Sequence, residues 1–277
     1  EMLRSLVGSE MCIRDSRDMV GRSITEYYPG RTNEPGEIVL EVKNFCQDGL
    51  FNNISFKLRK GEILGVAGLM GAGRTEIMRA LFGVDSCKHG EVYLHGKKVC
   101  IKKPEDAIKA GIGFITENRK SEGLILDFSI SRNIALPSVD TFAKRSVINA
   151  KNETAFSEAL SKKLGVKTAS IDLEAGALSG GNQQKVVIAK WIGMNPSIII
   201  MDEPTRGIDV GAKRDIYDLM NELTSQGVAI IMVSSEMPEL LGVCDRILVM
   251  SGGQLAGEVD AKNTSQEEIL TLAAKYV

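Results

Sequence analysis

Continuous apolar runs mark the core of this chain. They occur at Ile63–Ala67, Ile198–Met201, Ala229–Val233 and Ile247–Met250. Runs of this kind are typical of parallel strands whose two faces are both covered by helices. Helical periodicity between the runs, clearest at Ala212–Thr224, predicts those helices. The pattern therefore predicts an α/β fold with a parallel central sheet.

Shorter elements surround the predicted core. Apolar positions alternate or cluster in Ile38–Val42, Ile54–Leu58 and Glu91–Leu94, as they do in the strands of a small β layer. From about 118 to 178 the pattern is mainly helical, which predicts an inserted helical subdomain. The last segment, Ser265–Tyr276, begins with Ser-Gln-Glu-Glu, a helix-capping pattern.

Composition narrows the possible partners. The 277 residues are 43% apolar and 25% charged, which fits a globular chain with a sizeable core. The formal net charge of −2 and the lack of one long basic block argue against nucleic acid as a partner. No apolar run reaches the ~18–20 residues that a membrane helix needs, and no N-terminal stretch has a signal-peptide pattern. The five cysteines are scattered singly, which argues against a zinc site or a disulfide framework.

A glycine-rich segment follows the first apolar run directly. Gly68-Leu-Met-Gly-Ala-Gly-Arg-Thr75 fits the phosphate-loop template G-x-x-x-x-G-K-[ST] at every fixed position except Arg74, which replaces lysine. Glycines let successive backbone N–H groups converge on a phosphate, and the N-terminus of the following helix favours the same anion. The Thr75 hydroxyl is a candidate Mg²⁺ ligand. Arginine carries its charge on a wide planar fork, so it is not equivalent to lysine here.

Two carboxylates end the second apolar run. Ile198–Met201 leads directly into Asp202 and Glu203, so a buried strand delivers both acids to its carboxyl end. In phosphate-loop enzymes the first acid holds Mg²⁺, and the second is placed to orient or deprotonate an attacking water. By itself, an Asp-Glu pair at a strand end is as often structural as functional. Behind a phosphate loop, it predicts a nucleotide site.

A third segment, Leu178-Ser-Gly-Gly-Asn-Gln-Gln184, leads into a predicted helix from Gln183 to Gly193. On its own, Ser-Gly-Gly is a flexible loop. At a helix N-terminus, however, the Ser179 hydroxyl and the backbone N–H groups can hold an anion.

In this order and spacing, the phosphate loop, Leu178–Gln184 and the Asp-Glu strand resemble the ATP-binding cassette of ABC transporters. Leu178–Gln184 matches the signature loop of that family, and the resemblance runs from about Ile38 to the C-terminus. The chain is most similar to the second cassette of the double-cassette ATPases that serve bacterial monosaccharide importers of the ribose, galactose and xylose type. The segments that carry this closer resemblance are Gly68–Glu76, Glu117–Gly123, Asp202–Lys213 and Val233–Glu239.

The resemblance implies a fold, cofactors and site residues. The implied fold is a P-loop NTPase cassette with a RecA-like parallel-sheet core, a small antiparallel β layer and an inserted helical subdomain. ATP and Mg²⁺ are the implied cofactors, with Thr75 and Asp202 holding the metal. The implied catalytic residues are Glu203, Glu117 and Ser235. The implied nucleotide-binding residues are Gly68, Gly71, Ala72, Gly73, Arg74, Thr75, Glu76, Ser179, Gly180, Gly181, Gln183 and Asp209.

Three positions on the nucleotide side depart from the family. Arg74 stands for the usual lysine, although it still offers a phosphate a positive charge. Glu117 stands for a glutamine that touches Mg²⁺, and Ser235 for a histidine that holds the γ-phosphate. The signature loop is intact, and in ABC dimers each ATP lies between the phosphate loop of one cassette and the signature loop of the other. We therefore expect this ABC-type ATPase to complete a productive site on its partner and to hydrolyse ATP slowly at its own. Asp209 would link the two sites.

The resemblance also implies partners and a location. The partners are a first ABC cassette, membrane permease subunits and, indirectly, a periplasmic sugar-binding protein; the chain would be a peripheral subunit at the cytoplasmic face of the bacterial inner membrane. Leu124–Phe128 either faces the permease or is a plain hydrophobic stretch beneath the helical subdomain. The alternative functions are a regulatory nucleotide-binding cassette, or import of another small solute such as a nucleoside or an autoinducer sugar. An ABC protein acting on DNA or ribosomes would need coiled-coil arms, zinc cysteines or a basic linker, which this sequence lacks.

The N-terminal residues differ from the rest. Met11–Ser16 back-translates readily to the end sequence of a transposase used for sequencing libraries, so we expect residues 1–16 to be a non-native leader. A natural leader peptide is the alternative. Residues 17–36 contain two Pro-Gly pairs and are typical of an interdomain linker. The predicted cassette then occupies residues 37–277, and a first cassette would precede the linker in a longer chain.

Overall fold

The computed structural model describes residues 28–30, 34–144 and 147–276. Its strands are β1 (Ile38–Gln47), β2 (Phe51–Arg59), β3 (Ile63–Gly68), β4 (His89–Leu94), β5 (Lys97–Val99), β6 (Ile112–Ile115), β7 (Ala143–Lys144), β8 (Val147–Ile148), β9 (Ile198–Asp202), β10 (Ala229–Val233), β11 (Arg246–Ser251) and β12 (Gln254–Asp260). Its α-helices are α1 (Arg74–Phe82), α2 (Pro104–Lys109), α3 (Ile130–Ala135), α4 (Val139–Phe142), α5 (Ala150–Lys163), α6 (Gly180–Ile192), α7 (Val210–Ser225), α8 (Met237–Val243) and α9 (Gln266–Ala273). A π-helical turn spans Arg119–Gly123, and short 3-10 turns span Leu136–Ser138 and Ala175–Ala177. Among these described residues, no helix combines the length and the apolar character that crossing a membrane requires.

The larger sheet forms the centre of the fold. Within the described part of the chain its strand order is β12-β11-β3-β10-β9-β6, with β12 antiparallel to β11 and the other neighbours parallel. Every residue of β3, β6, β9 and β10 is buried, as strands covered on both faces must be. The parallel core predicted from the apolar runs is confirmed.

The smaller sheet is antiparallel and has the order β2-β1-β4-β5. In β2, Ile54, Phe56 and Leu58 are buried and the residues between them are exposed, so one face of this sheet covers the core. The three strands predicted for a small β layer are all present in it. The fourth strand, β5, has three residues and is too short to show a periodic pattern in the sequence.

A mainly helical segment lies between β6 and α6. It holds the π-helical turn, α3, α4 and α5, together with the hairpin β7–β8, which the sequence pattern does not predict. The buried Asn133 amide organises its start by donating to the carbonyls of Ile125, Phe128 and Ser129. Leu124 is buried, whereas Ile125 and Phe128 are exposed. This stretch therefore has one side in the core and one on the surface, and neither sequence-based interpretation describes all of it.

Three neighbouring strands end beside one another at one edge of the central sheet. β3 leads into the glycine loop and α1, β9 ends at Asp202, and β10 ends at Val233. Val66 of β3 is in register with Val233, and Val233 is in register with Asp202. Because β10 lies between β3 and β9, the segments that follow these strands meet at this edge.

The end of the predicted linker lies against the cassette. The centroid of the Tyr28 ring is 5.4 Å from that of the Tyr217 ring on α7. Tyr28 also covers Gly242 of α8, where a Cβ would collide with the ring. The Pro29 carbonyl accepts a hydrogen bond from Asn221 Nδ2 at 3.3 Å. The predicted leader lies outside the described residues, and the boundary at 36–37 stays a prediction.

Candidate nucleotide-binding site

The glycine loop between β3 and α1 has the backbone geometry of an anion site. Gly68 ends β3, and Gly71 and Gly73 have φ values of 79° and 90°, which residues with a Cβ rarely adopt. Ala72 is buried beneath the loop, and Glu76 is half-buried in the first turn of α1. No side chain caps α1, so its first N–H groups can serve an anion.

Asp202 at the end of β9 fits a Mg²⁺ ligand. Its side chain is 1% exposed, and neither carboxylate oxygen has a hydrogen-bond partner within the described residues. Burial raises the pKa of Asp202 to about 6, and the Thr75 hydroxyl beside the carboxylate opposes that rise only in part. A buried carboxylate without donors is destabilised unless a proton or a cation joins it. Asp202 and Thr75 together offer the hard oxygen ligands that Mg²⁺ prefers.

Glu203 follows in a strained backbone conformation. Its φ of 48° lies in the left-handed region, which is uncommon for a residue with a long side chain. Its N–H donates to the Val233 carbonyl at 2.9 Å, and its Oε2 accepts from Ser235 Oγ at 3.2 Å. Burial raises the pKa of Glu203, whereas Ser235 and Arg74 lower it. Strain of this kind costs about 1–3 kcal/mol and clusters at active sites. A carboxylate with a raised pKa is also a better general base.

Arg74 lies at the first position of α1 but extends across the site. Its Nη1 donates to the Ser234 carbonyl at 2.9 Å and lies 3.9 Å from Oε1 of Glu203. The wide guanidinium reaches both oxygens from one helix position. From the sequence, we expect this positive charge to bind a phosphate. In the structure it is shared with the candidate catalytic carboxylate.

Glu117 lies two residues after β6, and its carboxylate forms an ion pair with Arg206. Beside it, Arg119 donates from Nη1 to the Arg206 carbonyl at 2.7 Å and from Nη2 to the Gly207 carbonyl at 3.2 Å. The resemblance places Glu117 at the metal. In the structure its carboxylate pairs with Arg206, because the turn after β9 supplies an opposite charge.

Leu178–Gln184, the predicted signature loop, contains the start of α6, which begins at Gly180 and not at the predicted Gln183. Ser179 is the N-cap residue and is exposed, and Gly180 opens the helix. The Ser179 hydroxyl accepts from Asn182 Nδ2 at 2.9 Å and makes no hydrogen bond to the helix backbone. This helix start therefore has no side-chain cap, and its N–H groups can serve an anion.

Two predicted nucleotide contacts on the signature side have other partners in the structure. Gln183 is 3% exposed, and its amide donates to the Ala175 carbonyl at 3.3 Å. Its position on the inner face of α6 explains this burial, and its role as a nucleotide contact stays a prediction. Asp209 is exposed and caps α7 by accepting from the Ala212 N–H at 3.0 Å. It lies beside Gly181, where a Cβ would be 3.8 Å from Asp209 Oδ2.

Sequence reasoning misses two residues that contact these segments, Arg119 and Glu239. Glu239 lies on α8 and is 1% exposed. An acid within the otherwise apolar Met237–Leu241 is the signal that could have found it. Nothing in the local pattern distinguishes Arg119, because its two acceptors come from a distant turn.

A sequence profile described as ABC transporter matches residues 51–206. The chain belongs to the ABC transporter family. The Ribose import ATP-binding protein RbsA of Bacillus subtilis is 60% identical over 257 residues, which cover 93% of this chain and 52% of the relative. RbsA of Streptococcus agalactiae is 53% identical over 269 residues, which cover 97% of this chain and 54% of the relative. The chain thus spans about half the length of the curated relatives it matches.

Solved structures of the ABC family agree with the fold. MJ1267, an ATP-binding cassette of an ABC transporter in its ADP conformation, has a TM-score of 0.69 at 22% identity and covers 86% of this chain and 95% of its own. The dimeric bacterial ABC transporter cassette MJ0796 has a TM-score of 0.69 at 21% identity and covers 81% of this chain and 100% of its own. The predicted P-loop NTPase cassette fold is confirmed.

Proposed function

We propose that the chain is the ATP-binding component of an ABC importer for ribose. Relatives at 53–60% identity that carry the name of ribose import proteins support the substrate. The buried Asp202 carboxylate, unpartnered beside the Thr75 hydroxyl, is the observation that carries Mg²⁺-ATP binding. When bound, Mg²⁺ would neutralise phosphate charge and favour transfer of the terminal phosphoryl group to water. Around it, the glycine loop and α1 would bind the phosphates, and Glu203 would orient or deprotonate the water.

The proposed role is asymmetric between two cassettes. Arg74 shares its charge with Glu203 and the Ser234 carbonyl, and Ser235 brings no positive charge, which supports slow hydrolysis at this chain's own site. The exposed Ser179 and the start of α6 support a role as the signature surface of a second site. The second site would be completed by a first cassette from the rest of a longer protein. Permease subunits and a periplasmic sugar-binding protein would complete the transporter at the cytoplasmic face of the inner membrane.

A reconstitution experiment tests both parts of this proposal. The chain is mixed with the half of Bacillus subtilis RbsA that it does not match. We expect ATP hydrolysis at least about tenfold faster than that of either piece alone. Ser179→Arg should remove this gain, because it blocks the helix N-terminus that faces the partner's nucleotide. Glu203→Gln, a change of the own-site base, should lower the mixture's rate by less than about threefold.

The outcomes separate the two claims. A mixture that hydrolyses no ATP overturns the proposed ATPase role. A mixture in which Glu203→Gln removes the gain and Ser179→Arg leaves it intact overturns the asymmetry alone, because the productive site would then be the chain's own.

A further inference from the structure

A buried carboxylate lies beneath the nucleotide site and belongs to none of its predicted residues. Glu239 Oε1 accepts from Thr205 Oγ1 at 2.6 Å, from Tyr217 Oη at 2.6 Å and from Lys213 Nζ at 3.1 Å. Its Oε2 accepts from Ser234 Oγ at 2.9 Å. These donors come from the turn after β9, the helix α7 and the end of β10. One side chain therefore joins the turn after β9, the helix α7 and the loop after β10.

The hydrogen bond from Ser234 connects Glu239 to the candidate nucleotide-binding site. The same Ser234 that donates to Glu239 accepts from Arg74 Nη1 through its carbonyl. The next residue, Ser235, donates to Glu203. A shift of the 234–235 loop would therefore move partners of both the phosphate-loop cation and the candidate catalytic carboxylate.

The hydrogen bond from Thr205 connects Glu239 to a turn at the surface. Thr205 is 1% exposed and opens the turn 205–209, which ends at the exposed Asp209. Asp209 caps α7 and lies beside Gly181 of the signature loop. The turn thus reaches the surface that the proposed partner cassette would contact.

The charge at this position has a structural cost that calls for an explanation. A buried carboxylate is stabilised only when its donors are well placed and a cation is near. Lys213 is that cation; its pKa is raised because Glu236 and Glu239 together outweigh desolvation. An apolar residue would anchor α8 at lower cost, so an acid at this position favours a role beyond packing.

We propose that Glu239 is a positioning residue that couples the 234–235 loop to the turn 205–209. Nucleotide binding at the glycine loop moves the 234–235 loop, and Glu239 passes that movement through Thr205 to the surface turn. This inference rests on the proposed ATP binding. It adds a path by which nucleotide binding at one site changes the conformation of the turn near the other.

Deuterium uptake of the 277-residue chain tests the coupling without requiring hydrolysis. Uptake is followed in peptides covering the turn 205–209, with and without Mg²⁺-ATP. In the wild type, ATP should slow uptake in this turn by at least about twofold. Thr205→Val removes only the hydroxyl that donates to Glu239, so this protection should vanish while the Kd for ATP changes by less than about threefold.

Tyr217→Phe is the matched control. It removes a hydrogen bond of the same length to the same carboxylate oxygen, but from α7 rather than from either loop. A coupling role predicts that Tyr217→Phe keeps the ATP-dependent protection, whereas a merely structural role predicts equal losses in both variants. If Thr205→Val does not fold, Ser234→Ala is measured in its place, because it removes the hydrogen bond from the other loop to Glu239.

Each result decides one claim. Protection that survives in Thr205→Val, that is lost equally in Tyr217→Phe, or that the ATP-bound wild type never shows overturns the coupling by Glu239. A wild-type chain that does not bind ATP overturns the proposed function itself, and the Kd measurement identifies that case separately.

Discussion

The surroundings of the buried Asp202 carboxylate favour a bound cation. Both its oxygens are buried without hydrogen-bond partners among the described residues, and the Thr75 hydroxyl lies beside them. Such an arrangement is unfavourable for the anion alone, which is why its pKa is raised. A divalent cation would remove that penalty, so the residue that destabilises the empty site would stabilise the occupied one.

Asp202→Asn tests this state through the pH dependence of stability. The folded chain has an Asp202 pKa of about 6 against an ordinary value of 3.8, so the folded state binds this proton more readily than the unfolded state. The favourable contribution to the free energy of unfolding is therefore complete below pH ~4 and lost as pH rises through about 6. At ~1.4 kcal/mol per pKa unit, the wild type should lose up to ~3 kcal/mol relative to D202N over that range. Urea unfolding in EDTA at several pH values measures this; a difference that does not change with pH would contradict it.

Sequence spacing is enough to bring Thr75 and Asp202 together. Thr75 follows β3 through the glycine loop and Asp202 ends β9, and the parallel strands β3, β10 and β9 deliver their carboxyl ends to one edge. The direction of Arg74 could not be predicted in the same way. Its partners, Ser234 and Glu203, directly follow two other strands. Which acceptor Arg74 contacts depends on distances that no local sequence pattern encodes.

At the scale of elements, α6 carries a buried cation that the proposed chemistry does not use. Lys190 Nζ donates to the Gly123 carbonyl at the end of the π-helical turn and lies 5.3 Å from the centroid of the Trp191 ring. Desolvation lowers the pKa of Lys190 to about 8. The contact ties α6 to the segment that follows β6.

Lys190→Met should change how stability depends on pH. The Lys190 pKa is about 8 in the folded chain and 10.5 ordinarily, so the unfolded state binds more protons between these values. The free energy of unfolding of the wild type should therefore rise by up to ~3 kcal/mol from pH ~8 to ~10.5, and K190M should lack this rise. Urea unfolding across this range measures it, with Lys185→Met on the same helix as the matched control. A rise that persists in K190M would show that other groups cause it.

Helix starts and short hairpins show what the sequence can and cannot predict at this scale. Ser265 is a predicted helix cap, and its hydroxyl caps α9, because cap chemistry depends on neighbouring residues. Ser179 also lies at the N-cap position of its helix, but its hydroxyl accepts from Asn182 Nδ2 and not from the helix backbone. The hairpin β7–β8 has two residues in each strand and cannot show an alternating pattern. The π-helical turn Arg119–Gly123 is likewise too short for a periodic signal.

At the scale of the whole molecule, three distant segments meet at a clasp formed by Glu117, Arg119, Arg206 and Gly207. Glu117 pairs with Arg206, and Arg119 holds the carbonyls of Arg206 and Gly207. Gly180 of the signature loop lies against it, since a Cβ there would be 2.7 Å from Arg119 Nη2. The clasp thus joins the helical segment, the turn after β9 and the signature loop. The sequence alone shows only that Glu117 replaces the glutamine of the family.

Charge reversal across the clasp distinguishes two roles for Glu117, as a partner of Arg206 or as a Mg²⁺ ligand. Both side chains are partly exposed, so the ion pair should contribute less than about 1 kcal/mol to stability, and folding should survive the changes. If the clasp positions the signature loop, Glu117→Arg and Arg206→Glu should each slow ATP hydrolysis by the reconstituted mixture by about tenfold. The double variant, with the charges exchanged, should recover to within about threefold of the wild type. If Glu117 instead serves Mg²⁺ at this chain's own slow site, both single variants and the double variant should keep the mixture's rate within about threefold of the wild type, as expected for Glu203→Gln.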